Sequence, residues 1–199
     1  WTFAELVPVV VVQKGNPKEI KALKDFTRKD VDIVLTDYEY STLGRMLPSI
    51  FNKAGIDFEK LNKDKNIPTQ RSGGNAANIV KMKNADASIV WNVVALLRKD
   101  SLDIVPIDEN LPVPRVDAIT SATDRSYYLM PVRVTVTTLK ASKLPAEAAK
   151  FAEFLSSDEE ARAVLKKHGY KVDEKTCRKE YSKGAALPLE APPAKEKPE

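Results

Sequence analysis

Val9-Val10-Val11-Val12 opens the hydrophobic pattern as an unbroken β-branched run, the mark of a strand covered on both faces. Pro8 just ahead of it fits a strand start, where a missing N–H is tolerated. Asn16-Pro17-Lys18-Glu19 carries helix-start chemistry, with Asn as cap, Pro at the first helical position and Glu three residues past the cap. It predicts a short helix over Lys18 to Asp25. Val31 to Leu35 reads as a second strand. After the polar turn Thr36 to Ser41, a helix is expected from about Thr42 to Lys53, closed by Gly55, with Pro48 as an internal irregularity.

Asp57 to Gln70, dense in Lys, Asn and Asp, reads as a link. Ser72-Gly73-Gly74-Asn75 opens a helix over Ala76 to Lys83. A strand, Ala87 to Trp91, a short helix, Val93 to Arg98, and an edge strand, Ile104 to Ile107 with its Pro106, follow. Val132 to Thr137 alternates with period two. Pro145 to Leu155 predicts an amphipathic helix with Ala148, Phe151, Ala152 and Leu155 inward, and Asp158 to His168 a second, capped by Ser157 and stopped by Gly169. The strand–helix alternation argues for an α/β fold with a largely parallel sheet.

Composition narrows the class. The chain has 199 residues, 43% hydrophobic and 30% charged, the balance of a globular protein with a core of its own. Its net charge of +4 is small and spread along the chain, so it does not by itself predict nucleic acid. Cys177 alone excludes an internal disulfide, and one histidine, His168, excludes a two-histidine zinc motif. Gly-x-Ser-x-Gly is absent, and no base–nucleophile constellation is evident, so neither catalytic residues nor a cofactor or metal is expected.

Two helix starts carry the chemistry that remains. Ser41-Thr42-Leu43-Gly44 runs from a strand end into a helix, where free N–H groups and the positive end of the helix dipole favour anions. Ser72-Gly73-Gly74 repeats the arrangement, its glycines allowing close backbone approach to a ligand; an ordinary Ser cap and a glycine loop remain the simpler alternatives for each. Trp91 ends an apolar strand and reads either as a lid over a ligand or as core. Asp37 and Asp124 are candidate acceptors.

The run Val7-Pro8-Val9-Val10-Val11-Val12-Gln13-Lys14-Gly15-Asn16-Pro17, with Ile20, Leu23 and Asp25-Phe26, resembles the hinge strand and following helix of molybdate/tungstate-type periplasmic substrate-binding proteins of ABC transporters, type II solute-binding proteins. Thr36-Asp37 through Thr42-Leu43-Gly44, then Ala85 to Trp91, then Ala148 to Ser157 and His168-Gly169-Tyr170 keep the family's order, so the resemblance spans about Phe3 to Tyr170.

It implies a type II periplasmic-binding fold: an α/β protein with a mixed, mostly parallel sheet flanked by helices, one complete lobe plus a partial one. Residues 1–12 would be a hinge strand region, 13–130 the second lobe and 131–175 the return hinge with the C-terminal part of the first lobe; 176–199 would form a disordered Pro/Lys/Glu tail. The rest of the first lobe would lie upstream of Trp1. The implied ligand is a tetrahedral oxyanion, molybdate- or tungstate-like, with sulfate or phosphate as alternatives. Its donors would be the Leu43-Gly44 backbone, the helix start at Gly73 or Gly74, and Trp91 where the family has an aromatic hydroxyl. The implied setting is periplasmic, with a membrane ABC permease as partner, no nucleic acid and a monomeric state. An effector-sensing or interaction module on the same fold is the competing reading.

Overall fold

The computed structural model describes residues 1–120, 125–173 and Cys177. Asp124 and, Cys177 apart, the expected tail lie outside the described residues or at their limit. In chain order the elements are β1 (Thr2–Leu6), β2 (Pro8–Gln13), β3 (Leu35–Thr36), α1 (Thr42–Lys53), α2 (Phe58–Lys65), β4 (Thr69–Gln70), α3 (Gly73–Lys81), β5 (Ala87–Trp91), α4 (Asn92–Leu96) and β6 (Leu102–Val105). They are followed by β7 (Ala118–Thr120), β8 (Ser126–Tyr128), β9 (Val132–Thr135), α5 (Pro145–Ser157) and α6 (Glu159–Lys167). The described chain divides into two units. The first holds residues 1–7 and the described residues from Pro131 on, and the second holds residues 8–130.

In the second unit β2 lies between β5 and β6 and is antiparallel to both. Its Val10, Val11 and Val12 are buried because both faces are covered, which is what the unbroken valine run requires. β3 and β4 pair in parallel, and a bridge from Ile33 to Ala87 sets the β3 segment parallel to β5 as well. α3 lays Ala76, Ala77 and Val80 on this layer, against Val11, Val34 and Val90. A second cluster joins Phe51 of α1 to Phe58 of α2 and to Phe26, with ring centroids 5.3 and 6.0 Å apart. In the first unit β1 pairs with β9, and α5 and α6 pack together, burying Ala152, Ser156 and Ala161.

The mostly parallel sheet is overturned. β1–β9, β2–β5, β2–β6 and β7–β8 are antiparallel, and among the paired strands only β3–β4 is parallel. Strand–helix alternation fixes direction only where a helix carries the chain back, as from β3 through β4 to β5. β2 instead leads out through an irregular segment and runs against both neighbours, and β7–β8 is a hairpin.

Other elements shift for local reasons. No α-helix forms over Lys18 to Asp25, because Asn16 and Glu19 have φ of 45° and 51°. The Asn16 side chain instead clasps the Ile20 backbone, accepting its N–H at 3.0 Å and donating to its carbonyl at 2.9 Å. A 3-10 turn, Leu23–Thr27, follows. The expected link contains α2, capped by Asp57, with Phe58 and Leu61 buried and Lys65 donating to the Arg28 and Val31 carbonyls at 2.6 and 2.7 Å. Asp158, not Ser157, caps α6. Phe151 is not inward: it is 58% exposed and stacks on Phe154, while the small residues of α5 face the core.

Asp30, paired with Arg28, and two further carboxylates are held below their ordinary value, which should make the fold acid-sensitive. Asp25 accepts the Lys21 and Ala22 N–H groups at 2.8 and 3.0 Å. Asp103 accepts Lys14 Nζ and the Gly15 N–H, both at 2.7 Å. The Lys21 N–H chiefly holds the first, and Lys14 chiefly the second, below the ordinary 3.8. Depressed folded values mean the stabilisation is intact above 3.8 and is lost as pH falls through the folded values. The urea midpoint should therefore decline below pH 4, and more gently in a D25N/D103N double variant; equal slopes would dismiss these two groups as the cause.

Candidate functional site

Parallel pairing decides where the candidate residues sit. Because β3, β4 and β5 point the same way, the chain leaves β3 for α1 and β4 for α3 at one edge, outside the carboxyl ends of the strands. That edge is where open α/β sheets leave a crevice. All the residues singled out from the sequence, Ser41, Thr42, Leu43, Gly44, Ser72, Gly73, Gly74 and Trp91, lie at these strand ends or helix starts.

The two helix starts are not equivalent. At α1 the Ser41 hydroxyl donates to the Asp37 carbonyl at 2.7 Å and accepts the Gly44 N–H at 2.8 Å, so neither group is open. The Asp37 carboxylate accepts the Glu39 and Tyr40 N–H groups at 2.9 and 2.8 Å, which places a negative charge in the loop ahead of the helix. Leu43 is buried, and the N–H groups of Thr42 and Leu43 have no acceptor among the described residues. Gly44 is a packing requirement: a Cβ there would sit 1.8 Å from the Asp37 carbonyl oxygen.

At α3 the Ser72 hydroxyl accepts the Asn75 N–H at 3.2 Å, and the Gly73 and Gly74 N–H groups have no acceptor among the described residues. No acidic residue lies in the first turn. A Cβ at Gly73 would meet Val90 at 3.5 Å and one at Gly74 the Arg98 guanidinium at 3.5 Å, ordinary contact distances, and neither glycine has a positive φ. The fold thus does not itself demand glycine at either position. Arg98, which the sequence did not single out, steadies this turn by donating to the Gly74 carbonyl at 3.4 Å and to Asn78 Oδ1 at 3.0 Å. Trp91 is half-buried at the end of β5, opposite Pro8. Arg45 is tied to the Glu39 and Thr120 carbonyls.

Thr36, the last residue of β3, is the group that sequence reasoning missed. It is 2% exposed, and its hydroxyl has no hydrogen-bond partner among the described residues. Its methyl lies 3.9 Å from where a Gly73 Cβ would be. The sequence puts Thr36 at the start of a polar turn, where a threonine draws no notice, and only its place at the end of β3 beside α3 gives it meaning. A cleft of about 1040 Å³ elsewhere in the second unit, lined by Val31, Ile33, Leu61, Ile67 and Asn84 among others, contains none of these residues. Among the described residues no His/Cys/Asp/Glu group could hold a metal ion, and no helix is long and apolar enough to cross a membrane.

Comparison with known proteins places this architecture. Residues 2–171 match the family model of bacterial extracellular solute-binding proteins, and the chain belongs to that family. The family is non-catalytic and extracytoplasmic, so this chain is a binding protein rather than an enzyme. Among solved structures, a substrate-binding domain assigned to a molybdenum ABC transporter from Clostridium difficile is 21% identical, with a TM-score of 0.64; the match covers 87% of this chain and 66% of that one. The sulfate-binding protein SubI of Mycobacterium tuberculosis H37Rv is 18% identical at TM-score 0.58, covering 88% and 59%. The periplasmic molybdate-binding protein of Azotobacter vinelandii is 16% identical at 0.56, covering 87% and 68%. These likenesses establish a type II periplasmic-binding fold, of which the chain spans about two thirds or less of each relative's length. No curated protein matches the chain.

Proposed function

We propose that this chain carries the oxyanion-binding lobe of an ABC importer's solute-binding component, and that the ligand is a fully ionised tetrahedral dianion of the molybdate, tungstate or sulfate kind. The observation that carries the reading is the start of α3, where unclaimed N–H groups stand on two glycines that the fold does not require. Neutral donors at a helix N-terminus hold a dianion through charge-assisted bonds without a salt bridge.

Protonation sets the choice of anion. A monohydrogen phosphate also needs an acceptor, which neutral N–H donors do not supply, and Asp37 Oδ1 already takes two N–H groups of its own loop. Ser72 and the Trp91 indole N–H, both donors, complete the proposed set, and Thr42 and Leu43 offer a second, weaker pair of N–H groups. A membrane permease is the partner that delivery implies.

Thermal unfolding with molybdate, tungstate, sulfate and phosphate at matched ionic strength tests the reading. One oxyanion at a hundredfold excess over its Kd should stabilise by about 2.7 kcal/mol. Gly73→Val or Gly74→Val should abolish that shift while leaving the circular dichroism unchanged. An unaltered shift in both would remove α3 from the site.

A further inference from the structure

We propose that Thr36 is the side-chain donor that selects the anion, its hydroxyl turning toward Gly73 when the anion is bound. This rests on the reading above and adds a residue to it. A buried hydroxyl without a partner is costly, and valine fills the same volume without that cost. Thr36 nevertheless keeps the hydroxyl, with 2% of the residue exposed. The Thr2 and Ser88 hydroxyls and Arg162 Nε are also buried without a partner among the described residues, but of these groups only Thr36 ends a strand at the edge where α3 begins.

That position gives the hydroxyl a role. Thr36 ends β3 at the edge where α3 begins, and its methyl, not its hydroxyl, lies 3.9 Å from the place a Gly73 Cβ would occupy. The methyl and hydroxyl of threonine occupy neighbouring staggered positions, so one 120° step in χ1 brings the hydroxyl to where the methyl now lies. There it would stand on the side of β3 that meets the start of α3. The absent side chain at Gly73 keeps that approach open. A hydroxyl donating to an ionised oxygen has a charge-assisted partner, which the inward rotamer lacks.

The experiment compares the 199-residue parent with T36V and T36S, by calorimetric titration with molybdate, tungstate and sulfate and by melting without any of them. T36V should melt about 2 °C or more higher when no oxyanion is added, because an unsatisfied hydroxyl is gone. It should bind the preferred oxyanion about tenfold or more weakly. T36S, which retains the hydroxyl, should bind within a few-fold of the parent. If T36V binds as the parent does, this inference is overturned while the oxyanion reading stands. If T36V melts lower, the hydroxyl already has a partner in the unliganded protein and this inference is overturned. A folded parent that binds none of the three anions removes the oxyanion reading and this inference together.

Discussion

Gly44→Ala is expected to destabilise the protein by about 3 kcal/mol, well beyond the usual cost of a surface substitution. The added Cβ would stand 1.8 Å from the Asp37 carbonyl oxygen and 2.5 Å from its carbon, and both are backbone atoms that cannot swing aside. The loop from Asp37 to Ser41 folds back over the first turn of α1, held by the Ser41 hydroxyl between the Asp37 carbonyl and the Gly44 N–H. Either that loop lifts or the helix starts later; both give up the cap. Urea unfolding reads the effect directly. Gly73→Ala is the control, since its Cβ meets Val90 at an ordinary 3.5 Å, and it should stay within 1 kcal/mol of the parent, roughly the Gly-to-Ala helix preference. Equal stability of the two variants would mean that the Asp37 loop does not approach α1 this closely.

Phe51→Ala should cost more still, about 3–5 kcal/mol. Phe51 is fully buried, and its ring stacks on Phe58 at 5.3 Å and tilts against Phe26 at 6.0 Å. Its removal opens a cavity and also strips α2 of one of the few apolar surfaces it rests on, since only Phe58 and Leu61 of that helix are buried. Amide exchange in α2 should therefore quicken more than in α3, whose own core does not include Phe51. A loss under about 1 kcal/mol would show that the site collapses around the gap.

Much of the second unit was legible. Val9 to Val12, Ala87 to Trp91 and the bounds of α1 follow from a β-branched run, an apolar run and a serine cap, signals that need no distant partner. The type II fold came from resemblance and stands; sheet direction did not, because the antiparallel pairs of β2 are set by residues far along the chain. α2 was hidden by its charges. Lys60, Lys63, Asp64 and Lys65 speak for a link until Phe51 is seen to cover Phe58. Phe151 misled in the opposite sense, since helical periodicity shows which residues share a face and not which face the neighbours cover. In the candidate site both helix starts were readable, but not their inequality. The Asp37 turn, the clash at Gly44 and the orphaned hydroxyl of Thr36 exist only once loops meet helices.

The pairing of β1 with β9, Leu6 opposite Val132, also fixes an order of events. The whole second unit is threaded between these partners, so their contact must close a loop of roughly 125 residues, an entropic cost of about 4 kcal/mol if the loop were a flexible chain. Collapse of the second unit removes most of that cost, because the intervening residues are no longer free to wander. Every residue from Pro8 to Met130 lies between the two strands, so β1 would wait, unpaired, until the second unit had gathered and brought β9 within reach.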